Sequence, residues 1–159
     1  EEEIWPALAT FPGVEGRLQY AGAIDNVAVY NDNNATTPAA TVRALEAIGN
    51  IDAKNIILIA GGADKNIDPT ELVTKIPEYC KKVVLLEGTG TDVIKDQIEG
   101  VEVVGDMESA VEAGLKVGES GDILLLSPGF ASFGMYKNEY ERNDAFLEAV
   151  RKREDQDID

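Results

Sequence analysis

Lys65, at the end of Ala60-Gly61-Gly62-Ala63-Asp64, and Thr36, at the end of Asn31-Asp32-Asn33-Asn34-Ala35, are the residues best placed to hold an anion. Each closes a polar segment that follows an apolar run and precedes a helix-like stretch. A lysine in that position projects over the carboxyl edge of a sheet. A threonine at a helix start sits beside exposed backbone N–H groups and the positive end of the helix dipole, a natural seat for a carboxylate or phosphate. A third segment, Ser127 to Asn138, is rich in small residues with Phe130, Phe133 and Tyr136 interleaved. Small residues permit close backbone approach to a ligand, and Ser132 can donate a hydrogen bond. Purely structural roles account for the same residues: turn formation for Asp32, Asn33 and Asn34, capping for Thr36, a solvated loop for Lys65, and aromatics that plug a sheet edge.

Other chemistries are excluded. There is no histidine among the 159 residues, which removes Ser-His-Asp and Cys-His mechanisms and histidine-based metal sites. The lone Cys80 cannot form an internal disulfide, and reads as a small apolar filler in a reducing, cytoplasmic setting. Ala60 to Lys65 lacks the Gly-Lys-Ser/Thr ending of a P-loop. Gly88-Thr89-Gly90 resembles a dinucleotide fingerprint superficially, but Val93 stands where the third glycine belongs. A formal charge of −16, from 30 acidic and 14 basic residues, repels phosphodiester backbones and argues against nucleic-acid binding. The apolar runs, such as Val83 to Leu86, are too short to span a bilayer. A start at Glu1-Glu2-Glu3 without methionine suggests part of a longer protein.

The elements that must position these loops alternate between strand and helix. Gly16 to Ala21 and Val27 to Tyr30 read as two strands joined by a turn over residues 23–26. Asn55 to Ala60, Lys82 to Glu87, Val101 to Val104 and Asp122 to Leu126 read as further strands. Thr36 or Thr37 caps a helix with Pro38 in its first turn and Val42, Leu45 and Ile48 on its buried side. Asp68-Pro69-Thr70-Glu71 predicts a capping box with Asp68 as N-cap. A short helix is expected from about Asp92 to Ile98. Asp106 caps a helix bearing Met107, Ala110, Val111 and Leu115 on one face, and the last helix holds Phe146, Leu147 and Val150. This pattern predicts an α/β, Rossmann-like fold: a sheet of about six mostly parallel strands, an antiparallel edge hairpin, and helices on both faces. One domain over 1–153 is expected, followed by a frayed acidic tail over 154–159.

Four segments, in order, resemble the C-terminal domain of the Mur ligases, most closely the D-glutamate-adding branch. The family pattern Phe-x-Gly-Leu-x-His-Arg appears as Phe11-Pro12-Gly13-Val14-Glu15-Gly16-Arg17, and Asn-Asp-Ser-Lys-Ala-Thr-Asn as Asn31-Asp32-Asn33-Asn34-Ala35-Thr36-Thr37. Ala-Gly-Gly-x-x-Lys appears as Ala60 to Lys65. Leu-Ser-Pro-x-x-Ala-Ser with its later Phe-Lys-Asn appears as Leu126 to Asn138, with Arg142 beyond.

The resemblance implies part of an ATP- and Mg2+-dependent cytoplasmic ligase of peptidoglycan precursor synthesis, adding D-glutamate to UDP-MurNAc-L-alanine. It places Thr36, Lys65, Ser132 and Phe133 at the D-glutamate site, Arg17 near the ATP phosphates and Asp32 near the ribose. It implies no catalytic residue and no metal ligand in this chain, whose partner is the central ATPase domain of the same polypeptide, and no turnover by the chain alone. The departures are Asn34 for the family's lysine, Gly16 for its histidine, and Glu139 for an aromatic, with Tyr140 one place later. Two other readings remain: a stand-alone binding module for small acidic metabolites, and an engineered scaffold that keeps only the fold.

Overall fold

The apolar runs read as strands come together in one sheet. The computed structural model describes residues 13–156, so Phe11 and Pro12 of the first motif lie outside the described residues. The strands are β1 (Gln19–Ile24), β2 (Val27–Asn31), β3 (Ile56–Gly61), β4 (Cys80–Leu86), β5 (Glu102–Val104) and β6 (Ile123–Leu126), in the spatial order β1-β2-β6-β3-β4-β5. β1 is antiparallel to β2, and the other neighbouring pairs are parallel. The last strand in sequence is thus inserted between β2 and β3, and that insertion decides where the loops meet.

The helices described are α1 (Pro38–Ile48), α2 (Thr70–Tyr79), α3 (Thr89–Ile94), α4 (Met107–Leu115) and α5 (Glu139–Gln156), with a 3-10 turn at Lys95–Gln97. β3 is buried along its whole length, which is why it reads as an unbroken apolar run. Its pleat sends Ile57 and Ile59 to one face, with Met107, Val111, Phe146 and Val150 of α4 and α5. Ile56 and Leu58 go to the other face, with Val42, Leu45, Leu72, Ile76 and Ile94 of α1, α2 and α3. No helix among the described residues is long and apolar enough to cross a membrane.

Local chemistry shifts several boundaries. The hairpin turns on Asp25-Asn26 alone, with φ of 51° and 64°, so β1 begins later than expected and pairs Ile24 with Val27. Asp and Asn tolerate this left-handed geometry, which matches the twist of the strands. Residues 14–17 instead form a turn, closed by the Arg17 N–H donating to Val14 O at 3.1 Å and bonded to the loop after β2 through Asn34 N–H to Gly16 O at 2.9 Å. α2 starts at Thr70, and Asp68 serves it one residue early, accepting from the Thr70 N–H at 3.0 Å and from its hydroxyl at 2.6 Å. α3 begins at Thr89, earlier than the expected Asp92, and Gly90 within it lies against the Phe130 ring, where any side chain would collide. Asp106 caps α4 as expected, accepting from the Ser109 N–H at 2.7 Å. α5 continues through Gln156, so 154–156 of the expected tail are helical.

Candidate functional site

Because β2, β6 and β3 are neighbours, the loops after their carboxyl ends converge, the usual ligand position in an open α/β sheet. The loop after β2 is ordered from inside. Thr37 is the N-cap of α1, its hydroxyl accepting from the Ala40 N–H at 3.4 Å, with Pro38 at the start of the helix. That leaves the neighbouring Thr36 hydroxyl available, and Lys65 Nζ donates to it across 3.0 Å. The loops after β3 and β6 are zipped by a two-bond bridge, Ala63 N–H to Ala131 O at 2.9 Å and Ala131 N–H to Ala63 O at 3.0 Å. Gly62 makes this possible: its φ is +133°, and a Cβ there would sit 2.2 Å from the Ala131 oxygen.

The result is a cleft of about 450 Å³ lined by Arg17, Thr36, Lys65, Ser132 and Phe133, with Asn34, Glu139 and Tyr140 on its walls. Ser132 is buried, and Phe133 stands out at 62 % exposure. Two cations and three hydroxyls against one carboxylate in one small cleft, in a chain of charge −16, are suited to an anionic ligand. A larger cleft of about 580 Å³ lies beyond Phe133, beside Glu87 and Met135, but lysine and arginine do not line it. Of the two, the smaller is the one whose lining cations suit an anion.

Asp32 is placed apart from this group. It lines a second cleft, of about 390 Å³, with Leu18, Arg43 and the alanines of α1, and Arg17 is common to both clefts. Both Asp32 oxygens already accept hydrogen bonds, Oδ1 from the Leu18 N–H at 3.1 Å and Oδ2 from the Ser127 hydroxyl at 2.8 Å. Burial raises its pKa above the ordinary 3.8, against the lowering effect of those bonds and of Arg17. Asp106 is displaced the other way, its pKa lowered by the Ser109 backbone and hydroxyl donors.

The two carboxylates therefore act oppositely on stability. Asp32 holds its proton more tightly folded than unfolded, so its contribution is fully present below the ordinary value of 3.8 and is lost as pH rises through its folded pKa. Asp106 contributes above 3.8 and loses that contribution as pH falls through its own lowered pKa. Carboxyl-carbon NMR will show Asp32 titrating above Asp106; the reverse order would mean that burial does not outweigh the hydrogen bonds to Asp32.

Sequence reasoning did not foresee the role of Arg142. It is 1 % exposed, one turn before Phe146 on the buried stripe of α5. Its Nε donates to Asn33 Oδ1 at 2.8 Å, Nη2 to Asn33 O at 3.0 Å and Nη1 to Phe130 O at 3.1 Å. No carboxylate among the described residues bonds to it, and burial lowers its pKa to about 10, leaving it charged at neutral pH. Arg142 thus ties the loop after β2 to the loop after β6. Asn31, Asn143 and Glu15 continue the network: Asn31 Nδ2 donates to Asn143 Oδ1 at 2.8 Å, and Asn143 Nδ2 to Glu15 Oε1 at 2.9 Å. The signal in the sequence was a polar pair, Arg142-Asn143, in phase with the apolar stripe of the last helix. Among the described residues no group of three or more His, Cys, Asp or Glu is arranged to hold a metal ion.

Comparison with known proteins gives the family to which this fold belongs. The UDP-N-acetylmuramoylalanine–D-glutamate ligase of Roseiflexus sp. (strain RS-1) is 42 % identical over 156 residues, covering 94 % of this chain and 33 % of that protein. The ligase of the same name from Geobacillus kaustophilus (strain HTA426) is 40 % identical over 157 residues, covering 96 % and 34 %. The chain thus spans about a third of the length of these curated relatives. Among solved structures, a murein peptide ligase from Psychrobacter arcticus superposes with a TM-score of 0.59 at 17 % identity, over 91 % of this chain and 32 % of that one. At that identity the likeness speaks for the fold alone. The family model described as Mur ligase, glutamate ligase domain matches residues 16–130, and with it the chain belongs to the Mur ligase family.

Proposed function

We propose that this chain is the amino-acid-binding domain of an ATP-dependent cytoplasmic ligase that joins D-glutamate to UDP-MurNAc-L-alanine. The observation that carries the reading is the meeting of Thr36, Lys65 and Ser132 in one cleft. Lys65 and the backbone N–H groups at the start of α1 hold the two carboxylates of a glutamate, and the Thr36 and Ser132 hydroxyls fix their orientation. Glu139 is the carboxylate on the wall of the cleft, and it faces the ammonium end of an amino acid. Held this way, the amine attacks an activated carboxyl carbon brought by the rest of the enzyme. ATP supplies that activation by phosphorylating the alanine carboxylate, and phosphate leaves as the amide bond forms. What these residues contribute is position and charge neutralisation.

Arg17 and Asp32, on the shared wall of the second cleft, are the residues that would contact ATP, at phosphate and ribose. The described residues do not fit Mg2+ on their own, so no step here runs through it; its ligands belong to the remaining two-thirds of the enzyme. The central ATPase domain and UDP-MurNAc-L-alanine are then the partners, and the chain alone releases no phosphate from ATP. The relatives give no support to a free-standing module for acidic metabolites or to a fold-only scaffold.

An NMR titration with D-glutamate, with L-glutamate as control, tests the reading. Shifts at Thr36, Lys65 and Ser132 with D preferred are expected, and Lys65→Ala will weaken binding about tenfold or more, the worth of one charge-assisted hydrogen bond. Equal response to both enantiomers, or shifts away from this cleft, would sink it.

A further inference from the structure

The two departures from the family pattern nearest the cleft, Gly16 and Asn34, touch each other. The Asn34 N–H donates to Gly16 O at 2.9 Å, and its side-chain Nδ2 donates to Glu15 O at 3.0 Å. Gly16 has φ +70°, and a Cβ on it would lie 3.1 Å from Asn34 Nδ2 and 3.2 Å from Asn34 Cγ. A large side chain at 16 and the amide at 34 therefore compete for one space. On the other side of Arg17, the Leu18 N–H is held by Asp32 Oδ1 at 3.1 Å, with Leu18 at a φ of 41° that a leucine rarely adopts. Arg17 itself closes the turn, its N–H donating to Val14 O at 3.1 Å.

Arg17 thus stands between two braced residues, while its guanidinium makes no side-chain hydrogen bond among the described residues and borders both clefts. Asn34 cannot serve as a cation, and its amide donor is spent on the backbone two residues before Arg17. We propose that Asn34 is a positioning residue for Arg17: the Gly16–Asn34 pair fixes the turn that presents the guanidinium to a phosphate-class anion between the two clefts. The inference rests on the reading of Arg17 as an anion contact. In this chain a second cation at position 34 is exchanged for a brace on the first. A lysine at 34 has no donor at the length of the asparagine amide and would lose the bond to Glu15.

The test is a double-mutant cycle in the 159-residue chain with inorganic pyrophosphate as probe, read by NMR. Arg17→Gln and Asn34→Ala will each weaken binding about tenfold, the worth of one charge-assisted hydrogen bond. The double variant will bind no more weakly than Arg17→Gln, because Asn34 acts through Arg17. A merely structural effect would lower affinity in both backgrounds. Asn34→Leu, similar in shape but without the amide, replaces the alanine if that variant does not fold. Parental affinity in Asn34→Ala, losses that multiply in the double variant, or no pyrophosphate binding by the parent would overturn the proposal. D-glutamate titration of the same four proteins keeps the two ideas separate. Pyrophosphate failure with D-glutamate binding intact removes only the Arg17 inference, and the converse removes only the amino-acid reading.

Discussion

Arg142→Met will lower the unfolding free energy by about 4 kcal/mol and the melting temperature by about 10 °C, measured by calorimetry or urea denaturation. Opposing terms decide this. Removing a buried charge relieves a desolvation cost, visible in the arginine pKa lowered to about 10. Where a buried ion pair is replaced whole by apolar groups, that relief can make the exchange neutral. Here it cannot win, because the partners of Arg142 are two main-chain carbonyls and the Asn33 amide oxygen, and these remain. Each buried acceptor left unsatisfied costs about 1–3 kcal/mol. Arg142→Lys will recover only part of the loss, since one ammonium cannot span Asn33 and Phe130 in the planar fork that a guanidinium provides. A change below about 1 kcal/mol for the methionine variant would mean that the loops are held elsewhere.

Gly62→Ala will cost about 3 kcal/mol and will also abolish the proposed binding of D-glutamate. The added Cβ would sit 2.2 Å from Ala131 O and 3.5 Å from the Phe130 Cβ, and the obstructing atom is backbone, not the movable end of a side chain. Its φ of +133° adds strain of about 1–3 kcal/mol for any L-residue. Relief requires opening the Ala63–Ala131 bridge, worth about 1 kcal/mol per bond, and with it the alignment of Lys65 against Ser132. Gly134→Ala is the control: it also has positive φ, +97°, but nothing lies within 4 Å of its Cβ position. It will cost about 1 kcal/mol. If the two alanine variants prove equally stable in urea, steric closure of the bridge is not what holds the cleft.

Much of the fold was legible because its causes are local. The runs Ile56 to Ala60 and Ile123 to Leu126 announce fully buried strands, since a sheet covered on both faces needs apolar residues on both. Asp106 announces its helix by a side chain that bonds the backbone three residues on. Errors fell where two local solutions compete. Asp25-Asn26 and the wider 23–26 turn are both plausible hairpins until the pairing of Ile24 with Val27 selects one. Thr36 and Thr37 are both plausible caps, and only the Ala40 contact assigns the role to Thr37 and leaves Thr36 for Lys65.

By itself, then, the sequence determined the strand–helix alternation, the loops that carry polar chemistry and the exclusion of histidine chemistry, since each depends on residue type and near neighbours. The family motifs in it also marked Thr36, Lys65, Ser132 and Phe133 as one group. Only the tertiary structure decided how they form a cleft. That depends on β6 entering between β2 and β3, which brings together loops separated by up to a hundred residues. It also decided that the Arg142 donors turn inward and that each Asp32 oxygen accepts one inward bond, with a further lone pair on each left over. A buried carboxylate or guanidinium must satisfy itself from whatever packs against it, and those partners are set by the fold as a whole.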